Sequence, residues 1–206
     1  MSYVKEDLKS SYNQSAAQRE KAQREGWKQE ELDRFVEAMR YRNKTKVLDM
    51  GAGTGGSSLY MQENGIQVTC IDLSLSMVES CRQKGLYALE MDFYHLDFPD
   101  NTFDGIWAMN TLLHVPKADL PGVLAEVKRV LKPDGLFYKG VYGGWNSEGI
   151  WEKDHYSPKR FFSFYDEASL KKAVSGPFAL SGFRAIPLED NELDFYGLLL
   201  AAEHEA

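Results

Sequence analysis

Cysteine is scarce. Cys70 and Cys81 are the only two in 206 residues, so no disulfide framework is expected. Basic charge is short as well: 24 Lys and Arg stand against 31 Asp and Glu, a net charge of −7. Nucleic-acid binding is mostly phosphate neutralisation by cations. An acidic chain without a long basic run argues against that partner. No apolar run approaches the ~20 residues of a membrane span, and Met1–Glu6 lacks a secretory hydrophobic region. These absences predict a soluble protein in a reducing, cytoplasmic setting, with no membrane association. No internal repeat or low-complexity linker divides the chain, and its length suits one domain over residues 1–206.

What is present centres on Val47-Leu48-Asp49-Met50-Gly51-Ala52-Gly53-Thr54-Gly55-Gly56. A short β-forming run ends near an acid, glycines follow at alternate positions, and a helix-like segment begins. Glycine lets a backbone turn tightly and approach a ligand closely. The amides that open the helix carry partial positive charge. Gly51-x-Gly53-x-x-Gly56 fits the dinucleotide pattern, with Asp72 about 20 residues on for a ribose hydroxyl. Asp49 speaks against a pyrophosphate there. Two like charges ~4 Å apart cost about 4 kcal/mol near a protein surface.

Strand and helix signals alternate through the middle of the chain. Strands are expected at 46–50, 67–71, 86–91, 103–109 and 136–141. Gly65 and Gly85 mark helix ends, and Ser76 with Glu79 has capping-box spacing. Leu120, Val123, Leu124, Val127 and Leu131 form an amphipathic helix that stops at Lys132-Pro133-Asp134-Gly135. Strand–helix alternation gives right-handed crossovers and a parallel α/β sheet. A helix near 167–174 and two late strands, 178–186 and 193–201, follow. The turn between those strands, Pro187–Asn191, is short enough for a hairpin. Before the first strand, Leu32, Phe35, Val36 and Met39 have helical spacing and should pack on the core. The stretch Ser15–Gly26 consists of helix formers with no wide apolar stripe, so it is expected to be mobile. It reads either as a solvated extension or as a lid in which Tyr12 and Trp27 cover a ligand.

Read as Asp49-x-Gly51-x-Gly53-x-Gly55, the glycine turn resembles motif I of class I S-adenosylmethionine-dependent methyltransferases. The resemblance covers about residues 45–142. It implies a three-layer Rossmann-like fold, with a mostly parallel seven-stranded sheet of order 3-2-1-4-5-7-6 ending in an antiparallel hairpin. Residues 1–42 would form N-terminal helices or a lid, 45–142 the cofactor-binding core, and 143–206 the substrate side. The implied cofactor is S-adenosyl-L-methionine, with S-adenosyl-L-homocysteine as product. It has no phosphate and carries a sulfonium and an ammonium, to which Asp49 is an asset. The matching cofactor residues are Asp49, Gly51, Ala52, Gly53 and Gly55 at the turn, and Asp72 for the ribose hydroxyls. Leu73 and Met77 stand at the adenosine, and Asp92-Phe93 at the adenine. Asn110 follows the fourth strand, and on the lid reading of the N-terminal segment Tyr12 covers the cofactor.

Asn110-Thr111-Leu112-Leu113-His114-Val115-Pro116 lies where the family builds the wall between cofactor methyl and acceptor. His114 is the general-base candidate there, with His155 competing for the role. The family's amino-methylating signature, Asp/Asn-Pro-Pro-Tyr/Phe, is absent, since Thr111 and Leu112 occupy the proline positions. The aromatic stretch after the fifth strand supplies candidate substrate contacts with polar handles: Tyr142, Trp145, His155, Tyr156 and Arg160. The expected activity is methyl transfer to an O, N or S atom of a small molecule. An NAD(P)-dependent reductase is a weaker fit without a Tyr-x-x-x-Lys pattern. A catalytically silent adenosylmethionine-binding module is the non-enzymatic alternative. No metal site is expected.

Overall fold

A computed structural model describes residues 2–188 and 193–202. Its centre is a seven-stranded sheet of order β3-β2-β1-β4-β5-β9-β8. The strands are β1 (Lys46–Met50), β2 (Gln67–Asp72), β3 (Tyr87–Glu90), β4 (Phe103–Met109), β5 (Leu131–Gly143), β8 (Phe178–Pro187) and β9 (Asp194–Ala202). The first five are mutually parallel, and β9 and β8 join antiparallel. Setting aside a separate two-stranded ribbon, this is the expected order 3-2-1-4-5-7-6. The ribbon pairs β6 (Ser147–Ile150) with β7 (Phe161–Phe164).

Helices α2 (Gly26–Tyr41), α3 (Gly56–Glu63) and α4 (Leu75–Gln83) cover one face. On α2, Leu32, Phe35, Val36 and Met39 are all buried, as their spacing predicts. Phe35 sits 5.2 Å from Trp107, which stacks on Tyr138 at 4.1 Å. Helices α5 (Leu120–Val130) and α6 (Glu167–Val174) close the other face together with the ribbon. No helix among the described residues is long and apolar enough to cross a membrane.

Several local expectations differ from the structure. β5 begins at Leu131, not Leu136, because Leu131 pairs with Phe103 ahead of a register shift around Lys132–Gly135. Proline ends the helix there but is tolerated at the bulge. The cap of α4 is Ser74, whose hydroxyl accepts from the Met77 amide at 3.3 Å, rather than Ser76. The ribbon was not expected, since four-residue strands containing Ser147 and Gly149 carry almost no alternation. The turn predicted at Pro187–Asn191 lies partly outside the described residues.

The N-terminal segment shows the largest difference. It is one helix, α1 (Ser2–Lys21), laid across the C-terminal ends of the strands and packed on α4. Polar contacts hold it there. Lys5 pairs with Asp92 at 2.6 Å, Lys9 with Glu90, and Lys84 of α4 with Glu20 at 2.7 Å. Asn13 Oδ1 accepts from the Ser74 hydroxyl at 2.6 Å. A search for apolar periodicity cannot see such a helix, because its partners are ions distant in sequence.

Candidate functional site

The glycine turn works through its dihedrals. Gly51, Gly53 and Gly55 have φ of +77°, +56° and +83°, a region that costs other residues about 1–2 kcal/mol. A Cβ on Gly51 would also lie 2.4 Å from Thr111 Oγ1, whereas one on Gly53 would meet only Arg19, at 3.9 Å. Gly51→Ala is therefore expected to lower unfolding free energy by about 2–4 kcal/mol, and Gly53→Ala by only about 1–2. Denaturant unfolding of the two variants measures the difference.

Residues from the tips of β1, β2, β3 and β4 meet at a narrow chamber of about 60 Å³. Gly51, Gly53, Asp72, Leu73, Phe93 and Asn110 line it. This is the point where strand order reverses between β1 and β4, the usual ligand position in open α/β sheets. Asp72 Oδ2 accepts from the Gly53 amide and Oδ1 from the Ser74 amide, both at 2.9 Å. Burial raises the pKa of Asp72 against these bonds. Asn110 has φ of +55°, which asparagine tolerates. Its buried Oδ1 has no hydrogen-bond partner.

Two larger spaces adjoin this chamber. One, about 340 Å³, is lined by Leu73, Asp92, Phe93 and Tyr94 with Lys5 and Leu8 of α1. The other is a cleft of about 860 Å³ that includes Trp27, Asn110, Tyr142, Trp151, His155, Tyr156 and Arg160. Leu8, Tyr12 and Arg19 of α1 reach into the narrow chamber, and His114 borders all three spaces. At about 60 Å³ the chamber is far smaller than the two spaces that flank it. α1 thus fills the crevice at the turn and divides it.

A hydrogen-bonded chain runs across that division. Arg160 is held by Asp154 through Nε–Oδ2 at 2.9 Å and Nη2–Oδ1 at 2.8 Å. Its Nη1 donates to the Tyr12 hydroxyl oxygen at 3.0 Å. Tyr12 Oη lies 2.8 Å from His114 Nε2, and His114 Nδ1 lies 2.7 Å from the Phe161 carbonyl. A carbonyl only accepts, so Nδ1 carries the proton and Nε2 accepts from Tyr12. Burial pushes the His114 pKa down to about 3, with the nearby Arg160 cation adding to the shift. With α1 seated, His114 is a neutral ring whose Nε2 lone pair is taken up by Tyr12.

Most of the other predicted residues lie away from the cleft lining. Asp49 is buried beneath the turn, where its Oδ2 accepts from the Ser58 hydroxyl at 2.5 Å. Burial pushes its pKa up to about 7, and the Asp72 charge adds to this. Asp49 alternates along β1 with residues facing the other way, so it points into the α-helical layer. Ala52 and Gly55 pack toward that same layer, Gly55 against Leu86 and Cys81. Met77 is fully buried in α4. Trp145 packs on Phe164 at 5.1 Å and donates to Ser147 Oγ at 2.9 Å, on the ribbon and not in the cleft. His155 is exposed at the cleft rim, 4.9 Å from Tyr156.

Sequence reasoning missed Lys5, Leu8 and Arg19, which α1 carries into the site, and Asp154, which positions Arg160. Arg19 also donates to the Tyr156 hydroxyl at 3.1 Å. Among the described residues no group of three or more His, Cys, Asp or Glu could hold a metal ion.

Residues 48–138 match a methyltransferase domain family. A sterol 24-C-methyltransferase of Gibberella zeae is 35% identical over 127 residues, 56% of this chain and 31% of that protein. Phosphoethanolamine N-methyltransferase 1 of Arabidopsis thaliana is 28% identical over 172 residues, 80% of this chain and 34% of that protein. The chain thus spans about a third of the length of these curated relatives. Among solved structures, the 1,6-didemethyltoxoflavin-N1-methyltransferase of Burkholderia thailandensis, with 1,6-didemethyltoxoflavin and S-adenosylhomocysteine bound, has the same fold. Its TM-score is 0.73 at 22% identity, over 96% of this chain and 88% of that one.

Proposed function

We propose that the chain is a class I S-adenosylmethionine-dependent methyltransferase, like the family and the relatives it matches, and that it methylates an O, N or S atom of a small molecule. One observation carries the reading. The tips of β1, β2, β3 and β4 converge on one chamber, and Tyr12, Arg19, Asn110 and His114 stand between it and a concave cleft of about 860 Å³. That size lies within the range of small-molecule sites.

The residues fit adenosylmethionine. Asn110 Oδ1 is a buried acceptor in need of a donor. Asp72 retains lone pairs for ribose hydroxyls, and Asp92 with Phe93 offers an acceptor and a ring for adenine. Asp72 sets a carboxylate at the turn, which suits a cation. Arg19 stands over Gly53 as a partner for a carboxylate. When bound, the cofactor supplies an already activated methyl group on sulfur.

The chain's own residues then align the acceptor and exclude water. Aligned reactants can gain ~7–11 kcal/mol of barrier from position alone. Tyr12 is one of the polar groups presented to both the narrow chamber and the wide cleft, and it is fixed by Arg160 on one side and His114 on the other. Because His114 is neutral and covered while α1 is seated, the site suits an acceptor whose lone pair is free at neutral pH. α1 acts as the lid, since the narrow chamber has no room for a nucleoside until that helix shifts.

Calorimetry with adenosylmethionine, adenosylhomocysteine and NAD, followed by product mass spectrometry over a metabolite library, tests this. Binding of NAD alone would end the methyltransferase reading. Adenosylhomocysteine binding with no product from any acceptor would favour the silent module. With an acceptor identified, Tyr12→Phe should cut kcat roughly 10–100-fold, on the scale of a lost positioned proton-transfer or hydrogen-bonding group. Adenosylhomocysteine affinity should change little. A large loss of affinity at unchanged kcat would make Tyr12 a mere cover.

A further inference from the structure

Lys5 lies in the first turns of α1, outside every motif used so far. Its ammonium donates to Asp92 Oδ2 at 2.6 Å and lies 3.5 Å from the centre of the Tyr94 ring. That ring stacks on Phe93 at 5.7 Å with 16° between the planes. The second oxygen of Asp92 accepts from the Tyr94 amide at 3.0 Å, which fixes the carboxylate. Lys5 thus brings an N–H donor to a carboxylate over an aromatic face, at the edge of the 340 Å³ space. An adenine amino group calls for these same partners, so the ammonium and the adenine contend for the one position beside the aromatic face.

We propose that the Lys5 ammonium is an internal stand-in for the adenine amino group. Cofactor uptake then exchanges one donor for another on Asp92 and frees the first turn of α1. This rests on the adenosyl reading of the cleft, and it adds a competitor built into the chain. The device makes closure without cofactor and closure over cofactor alternative states of one helix. Lys9 with Glu90 and Lys84 with Glu20 hold the helix beside this point and do not touch Asp92.

Both members of the pair are about one-third exposed, at 34% and 35%, so the competition is modest. Removing it should tighten adenosylhomocysteine binding by ~2–5-fold at low salt. Isothermal titration of the full chain tests this, with wild type, Lys5→Met and Lys5→Arg at ~20 mM and ~500 mM sodium chloride. The expected result is tighter binding by Lys5→Met at low salt, a gap that closes at high salt, and wild-type behaviour for Lys5→Arg. Equal or weaker binding by Lys5→Met at low salt overturns the proposal, as does a gap that ignores salt. If Lys5→Met fails to fold, the salt series on wild type and Lys5→Arg against Lys5→Gln gives the same comparison. Absence of binding in every protein, wild type included, would instead sink the adenosyl reading itself.

Discussion

Asp72→Ala should weaken adenosylhomocysteine binding by at least about 100-fold. Asp72 has two tasks in the structure. Its oxygens tie the glycine turn to the start of α4 through the Gly53 and Ser74 amides, each at 2.9 Å. It also faces the narrow chamber, where the proposed ribose hydroxyls would add to its load. Hydrogen bonds to a charged group contribute about 1.5–3 kcal/mol each, and two lost together exceed the factor stated. Asp72→Asn retains one acceptor oxygen and should fall between. Titration calorimetry measures the affinities, and circular dichroism verifies that the fold persists. An Asp72→Ala protein that binds as well as wild type would reject the placement of the nucleoside at the tip of β2.

The second large effect concerns stability and involves no ligand. Lys139 is fully buried in β5, and its Nζ has no hydrogen-bond partner. Its register neighbours are Ala108 and Leu198, and its ammonium lies 5.9 Å from the Tyr165 ring centre. Burial pulls its pKa from 10.5 down to about 7. The sign follows directly. Between pH 7 and 10.5 the unfolded chain retains a proton that the folded chain has released, so stability rises with pH across that window. Below pH 7 both states are charged and the penalty is constant. Lys139→Met should therefore be more stable than wild type at pH 6, by about 3–5 kcal/mol. That advantage should shrink as pH climbs toward 10. Urea unfolding of both proteins at pH 6, 8 and 9.5 provides the measurement. A gap independent of pH would mean that Lys139 finds a partner in solution. The low pKa of His114 and the raised pKa of Asp49 act below about pH 7, outside this window.

The parts legible from sequence were those written in local chemistry. The glycine spacing at 51, 53 and 55 reports left-handed dihedrals, and acids or amides at the ends of β1, β2 and β4 report a crevice at the strand tips. The four apolar positions of α2 needed only helical period. The role of Asp49 was harder to read, because its motif names the residue while strand alternation decides its direction, inward to Ser58. Trp145 and Arg160 looked equivalent as aromatic-stretch residues with polar handles. Only the pairing of the ribbon turns one onto Phe164 and the other onto Tyr12. The seating of α1 was illegible for a different reason. Its lysines at 5 and 9 look like any solvated face until β3 and the loop after it bring Glu90 and Asp92 beneath them.

The strand order carries a consequence for synthesis. β9 is the last of the described strands to leave the ribosome, yet it lies inside the sheet, hydrogen-bonded to β5 on one side and β8 on the other. Until residue 202 emerges, the nascent protein displays the bare, apolar margin of β5 from Leu136 to Val141. Unpaired margins of that sort recruit other chains. A message truncated before residue 194 would leave that margin of β5 permanently bare.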